Sequence, residues 1–241
     1  MTVPAVLLAA ANPLDHSVQL PGLVQEQQAL LDHFSGKIEV LSLPLATLPG
    51  IVARFNDHPG RIRIFHFAGH ANGRSILLEP DASGNTSGLA QGLAAYIGQQ
   101  QSVSLVFLNG CATRDQIKLF MDSGIPAVIA TTRPIQDDIA RQFATDFYGS
   151  FCAGKNIQTA FDEATSLLHT RHADPRQIYT RDLGLDEQPE TASSPYELHL
   201  SSTGAGNVRL EDWKEPEKPA GTIQQANNIY NIGHIDNANF S

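Results

Sequence analysis

Cysteine is scarce in this chain: Cys111 and Cys152 are the only two in 241 residues. Two thiols cannot supply a disulfide framework, so a small secreted scaffold held by bridges is excluded and a reducing, cytoplasmic setting is expected. Basic residues are also few. Sixteen Lys and Arg stand against 25 acids, for a net charge of −9, and they form no basic block. Nucleic-acid and membrane-surface binding both rely on clustered Lys and Arg, so neither partner is expected. Long apolar runs are missing too. The first one, Ala5–Ala11, has no positive residue before it and is too short to cross a bilayer. It reads as a buried strand rather than as a signal peptide. What the chain does have is 41% apolar against 17% charged residues, enough for one sizeable α/β domain with a real core.

Short apolar runs alternate with helical periodicity as far as residue 172. Strands are predicted at 5–11, 37–43, 61–67, 103–108 and 127–131, with helices at 20–34, 45–56, 89–100, 114–122, 137–153 and 157–172. Pro49 and Gly50 weaken the second helix, and partial alternation in 61–67 suggests a strand with one less buried face. Turn formers in Ser75–Gly88 suggest a short hairpin or loop. This order implies right-handed βαβ crossovers and a mostly parallel sheet flanked by helices on both faces. Asp174–Ser194 reads as a loop, Tyr196–Ser201 as a last strand, and EDWKEPEKPAG (211–221) as a solvated linker. GSFCAGKN (149–156) matches a phosphate-binding loop only by count, since it ends in Asn156 and follows a helix; Gly154 reads as a helix cap. His169 and His172 have no partners at metal-ligand spacing. No metal or organic cofactor is expected.

In an open α/β sheet, sites form at the carboxyl ends of strands. The third strand runs out into IFHFAGHANGRS, which places His70 just past its end. The fourth runs out into LVFLNGCATRD, which places Cys111 just past its end. A neighbouring imidazole can take the proton of a thiol and leave a nucleophile. The small residues Gly69, Ala71, Gly110 and Ala112 leave room for a substrate backbone, and the N–H groups of Cys111 and Ala71 are candidates for an oxyanion hole. The other reading of a cysteine at a strand end is a small core residue. His66 lies inside its strand and reads as a packed core histidine; Cys152 falls late in a helix and reads as inert.

VLLAAANPLD at the first strand, IFHFAGHA, LVFLNGCAT and the stretch GIPAVIATTRPIQDDIARQFATDFYGSFCAGKNIQTAFDEA together resemble the CHAT group of caspase-like cysteine peptidases, in the clan of caspases, metacaspases, separases and gingipains. The separation of 41 positions between His70 and Cys111 is close to the caspase spacing of about 50. The resemblance implies a caspase-hemoglobinase fold and peptide hydrolysis with His70 as base and Cys111 as nucleophile. Two departures stand out: Ala71 where many relatives have Gly, and Arg133 where the family often has Trp. Asp15, in the loop after the first strand, corresponds to a pocket carboxylate of acid-lined members and would favour a basic P1 residue. Arg133 would favour an acidic one. Asp115 is a second acid near the pocket, with a competing reading as helix N-terminal charge. A basic P1 is the favoured reading.

The tail TIQQANNIYNIGHIDNANFS (222–241) mixes Asn and Gln with Ile, Tyr and Phe, a composition suited to cross-β stacking. Its YNIG resembles the core tetrad of RIP homotypic interaction motifs and the amyloid-like signalling tails of bacterial immune effectors. The expected organisation is a peptidase domain over 1–205, a linker over 206–221 and a recruitment motif over 222–241. The expected function is a bacterial defence or programmed-death endopeptidase, cleaving protein substrates after an upstream sensor engages the tail. The alternative is a caspase-fold adaptor or ligand sensor whose dyad is unused.

Overall fold

The computed structural model describes residues 3–13, 19–82, 84, 86–172 and 194–213. Asp15, most of the 174–194 loop and the 222–241 tail therefore lie outside the described residues. The five strands and six helices predicted as far as residue 172 all form, a short strand pair stands in the 75–89 stretch, and a last strand follows. They are β1 (Ala5–Ala11), α1 (Gly22–Phe34), β2 (Glu39–Leu43), α2 (Leu48–Asp57), β3 (Ile62–Gly69), β4 (Ser75–Leu77), β5 (Ser87–Leu89), α3 (Ala90–Gly98), β6 (Leu105–Asn109), α4 (Arg114–Asp122), β7 (Ala127–Thr131), α5 (Asp137–Cys152), α6 (Ile157–Arg171) and β8 (Tyr196–Leu200). A short helix α7 (Thr203–Gly206) and a 3-10 turn at Leu210–Trp213 close the described chain.

The main sheet has the order β2-β1-β3-β6-β7-β8, parallel except for the antiparallel β8 edge. β4 and β5 form a separate antiparallel hairpin. Side chains alternate across the sheet. Phe65, Phe67, Val106 and Leu108 join the core under α2, α3 and α4. Ile64, Leu105, Phe107 and Ile129 join the core under α1, α5 and α6. The fold class is thus α/β with helices on both faces.

Two local expectations change. β3 does not have a less buried face: every residue except Arg63 is buried, because β1 and β6 flank it and helices cover both sides. The polar residue that produces the apparent alternation, His66, is itself buried and paired. The first residues of the linker expected over 206–221 pack on the domain, although Glu211 and Asp212 are exposed. Trp213 packs its ring 5.6 Å from Phe151, Leu210 is buried, and Ile157 N–H donates to Val208 C=O at 3.0 Å. Pro49 and Gly50, by contrast, suit the first turn of α2, where an orphan N–H costs nothing; the Thr47 hydroxyl caps it by accepting from Gly50 N–H at 3.1 Å. Gly154 and Asn156 likewise act as helix caps, the Asn156 side chain accepting from Thr159 N–H at 2.7 Å.

Candidate active site

Ala68 of β3 pairs with Asn109 of β6. Extending that register by two residues sets His70 opposite Cys111, where adjacent parallel strands run about 4.8 Å apart. Both continue the parity of His66 and Asn109, which belong to the face covered by α1 and α5. Gly110 is what lets the two loops meet. A Cβ there would lie 2.7 Å from Ala71 Cβ and 2.8 Å from Gly69 C=O. Gly69 has φ +155°, and a Cβ on it would come 2.6 Å from Ala11 C=O. The β4–β5 hairpin then folds back on the His70 loop: Leu77 N–H donates to His70 C=O at 2.8 Å, and Ala71 bridges Ile76.

The Cys111 loop is fixed from below. Thr113 N–H donates to Thr131 Oγ1 at 3.1 Å, Thr131 N–H donates back to Thr113 Oγ1 at 2.9 Å, and Thr131 Oγ1 donates to Gly110 C=O. Both threonines are fully buried. Ala112, between Cys111 and Thr113, is held at φ 51°, the only non-glycine residue described in the left-handed region. Such a conformation costs about 1–2 kcal/mol and persists where surrounding contacts enforce it, often at functional turns. Gln116 of α4 reaches across to the His70 loop, donating to Asn72 C=O at 2.5 Å.

A cleft opens at these strand ends, between the N-terminal turns of α1 and α5. His70, Cys111, Asn109, Glu26, Ile135 and Asp137 are among its lining residues. It is narrow, leaving about 30 Å³ for a water's centre, enough for a solvent molecule. Cys111 and His70 are partly exposed, and Cys111 Sγ points to Ile135 C=O at 3.9 Å. Behind the cleft lies a buried polar network centred on Glu26, which is 2% exposed. Glu26 Oε1 accepts from Asn109 Nδ2 at 2.8 Å and pairs with His66 Nε2 at 2.9 Å. Tyr196 Oη donates to Asn109 Oδ1, and Tyr148 Oη lies 3.2 Å from His66 Nδ1. Burial first, then the Glu26 charge, push both phenols well above their usual range, so both remain protonated donors.

The sequence matches the CHAT domain over residues 2–206. The chain belongs to the CHAT domain family. No curated protein matches it. Among solved structures it is similar to the Drosophila initiator caspase Dronc, with 7% identity over 68% of this chain and 71% of that one, at a TM-score of 0.49. It is also similar to the Arg-specific cysteine proteinase gingipain R, with 13% identity over 70% of this chain and 42% of that one, at 0.46. A complex of Porphyromonas gingivalis RgpB pro- and mature domains gives 14% identity over 70% and 43%, at 0.45. The chain thus spans less than half the length of either gingipain chain.

In this CHAT domain the strand-end pair His70 and Cys111 share one cleft, with Ala71 beside Gly110. Neither Asp115 nor Arg133 is among the described residues that line that cleft. Asp115 is exposed on α4, against Gly73, and lines a shallow depression with Arg114, Lys118, Glu197 and His199. Arg133 follows β7 in the turn that leads to Ile135, and Asp15 is outside the described residues. Sequence reasoning missed Glu26, Asn109 and Asp137. A signal existed for the first two: each is a polar residue at a position whose neighbours, Leu23 and Leu30 or Phe107 and Leu108, face the core. Cys152 is buried at the end of α5, and desolvation pushes its thiol up to about 11. At pH 8, iodoacetamide is therefore expected to modify Cys111 alone in the native CHAT domain, with Cys152 reacting only after denaturation. Peptide mass mapping checks this, and a native domain labelled first at Cys152 would refute it.

Proposed function

We propose that the CHAT domain is a cysteine endopeptidase in which Cys111 attacks the scissile carbonyl and His70 is its acid and base. The observation that supports this is that His70 and Cys111, just past the ends of the neighbouring strands β3 and β6, line one cleft and are both partly exposed. His70 takes the thiol proton as Cys111 Sγ bonds to the carbonyl carbon, then returns it to the departing amine. Water, deprotonated by the same imidazole, releases the acyl group from sulfur. The N–H groups of Cys111 and Ala71 are the donors proposed for the carbonyl oxygen during attack. Membership of the CHAT family supports this reading. The proposed role is in a bacterial defence or programmed-death pathway, with residues 222–241 engaging an upstream sensor and raising the local enzyme concentration.

Incubation of wild type and Cys111→Ala with an unfolded protein such as casein, followed by mass spectrometry of new termini, tests the reading. Wild type should generate fragments that the variant does not. Identical fragment patterns from the two proteins would remove the enzyme reading and leave the scaffold.

A further inference from the structure

One side chain meets the backbone on both sides of Cys111. Thr131, the last residue of β7, is fully buried. Its hydroxyl donates to Gly110 C=O, the carbonyl just before Cys111, and accepts at 3.1 Å from the N–H of Thr113, two residues after it. Between these contacts the chain turns through Ala112 at φ 51°, a strained conformation that the double hold helps to enforce.

Holding a carbonyl also aims the N–H of the same peptide. The described residues contain no cis peptide bond, so Gly110 C=O and Cys111 N–H point in opposite directions. β6 lies between β7 and β3 in the sheet. With Gly110 C=O held from the β7 side, Cys111 N–H faces the β3 side, where the His70 loop runs.

The His70–Ala71 peptide is held in the same way. His70 C=O accepts from Leu77 N–H at 2.8 Å, which turns Ala71 N–H away from the β4–β5 hairpin. A Cβ on Gly110 would lie 3.5 Å from Ala71 N, which places the two N–H groups at neighbouring positions. Neither N–H has a hydrogen-bond partner among the described residues. Backbone N–H groups of a fold are paired with few exceptions, so two open ones side by side at a cleft are a ready receptor for an oxygen.

We propose that Thr131 is a positioning residue: by holding Gly110 C=O it aims Cys111 N–H, together with Ala71 N–H, at the oxygen of a carbonyl under attack by Cys111 Sγ. Donors set in advance need no reorganisation as charge develops on that oxygen. Thr131 acts through the peptide alone, from beneath the loop. The inference rests on the peptidase reading above and deepens it.

The test compares two reactions of Cys111 in the full chain. Acetylation by p-nitrophenyl acetate passes through a tetrahedral oxyanion and expels nitrophenolate. Alkylation by iodoacetamide displaces iodide at a saturated carbon and forms no oxyanion. The ratio of the two rates, followed at Cys111 by peptide mass mapping, reports on the N–H donors and cancels changes in thiol ionisation. Thr131→Val keeps the shape and removes the hydroxyl, and it should lower the ratio by about ten- to a hundredfold. On a peptide that wild type cleaves, it should lower kcat to a similar extent and move KM less than about threefold. Thr131→Ser should restore both the ratio and kcat to within about threefold of wild type.

A hydroxyl that only supported the fold would change the two reactions together and leave the ratio at its wild-type value. An unmoved ratio in folded Thr131→Val, or a fallen one that Thr131→Ser does not restore, overturns the proposal. So does a native wild-type ratio no higher than that of the chain unfolded in urea, a measurement that needs no folded variant. A ratio that falls in Thr131→Val, in a chain whose wild type cleaves no peptide, supports the positioning role and removes the peptidase.

Discussion

Cys111→Ala is expected to reduce peptide hydrolysis to the assay background, and His70→Ala to lower kcat/KM by roughly two to four orders of magnitude. The two losses differ because the groups do different things. Without Cys111 no acyl-enzyme can form. Without His70 the thiol remains, and a small fraction of it still ionises through solvent, but the departing amine has no acid to protonate it. Residual hydrolysis by His70→Ala should therefore climb with pH over the range where the wild type is flat, as hydroxide takes the place of the imidazole. Initial rates from pH 6 to 9 on one fluorogenic peptide measure both effects. A His70→Ala enzyme with wild-type kcat/KM would exclude His70 as the base, and the same result for Cys111→Ala would exclude the covalent route.

That pair was legible in the chain because strand ends are marked twice in the sequence. The apolar run LVFL stops at Asn109, and the polar and small residues after it place Cys111 outside the sheet; IFHFAGH does the same for His70. What periodicity cannot give is which strands are neighbours or in what register. Those come from β6 lying against β3, a contact between residues some 40 positions apart. Glu26 escaped notice for the same reason. It occupies the buried face of α1 between Leu23 and Leu30, where a carboxylate looks like a surface residue at a poorly chosen position. Its partners, His66 and Asn109, lie 40 and 83 residues away. His66 gave β3 an alternating, half-polar look and hence the wrong expectation of an exposed face. Once Glu26 and Tyr148 satisfy the imidazole, a fully buried strand can hold it. Resemblance suggested Asp15 and nearness to Cys111 suggested Asp115, whereas Glu26 and Asp137 come to the cleft only in the folded chain. Asp115 shows why proximity in sequence misleads. It is the second residue of α4, and its side chain is exposed there, against Gly73.

The same buried network predicts the largest loss of stability. His66→Ala is expected to cost about 3–5 kcal/mol, the range for removing one partner of a buried pair. Three losses combine there. Glu26 loses its imidazole partner at 2.9 Å, and Tyr148 loses the nitrogen that its hydroxyl faces at 3.2 Å. The imidazole also packs edge-on against Phe107 at 4.9 Å and Tyr148 at 5.5 Å, so its removal leaves a void among rings that are fully buried. Tyr148→Phe separates these contributions, because it keeps the ring and removes only the hydroxyl. It should cost about 1–2 kcal/mol, the price of one unsatisfied imidazole nitrogen. Urea unfolding of both variants, with midpoints and slopes compared, distinguishes the cases. If His66→Ala costs no more than Tyr148→Phe, the Glu26–His66 pair contributes nothing to stability and the α1–β3 contact is held by apolar packing alone. If it costs several times more, the Glu26–His66 pair holds α1 to β3 behind Cys111, at a position where an ordinary core would place leucine.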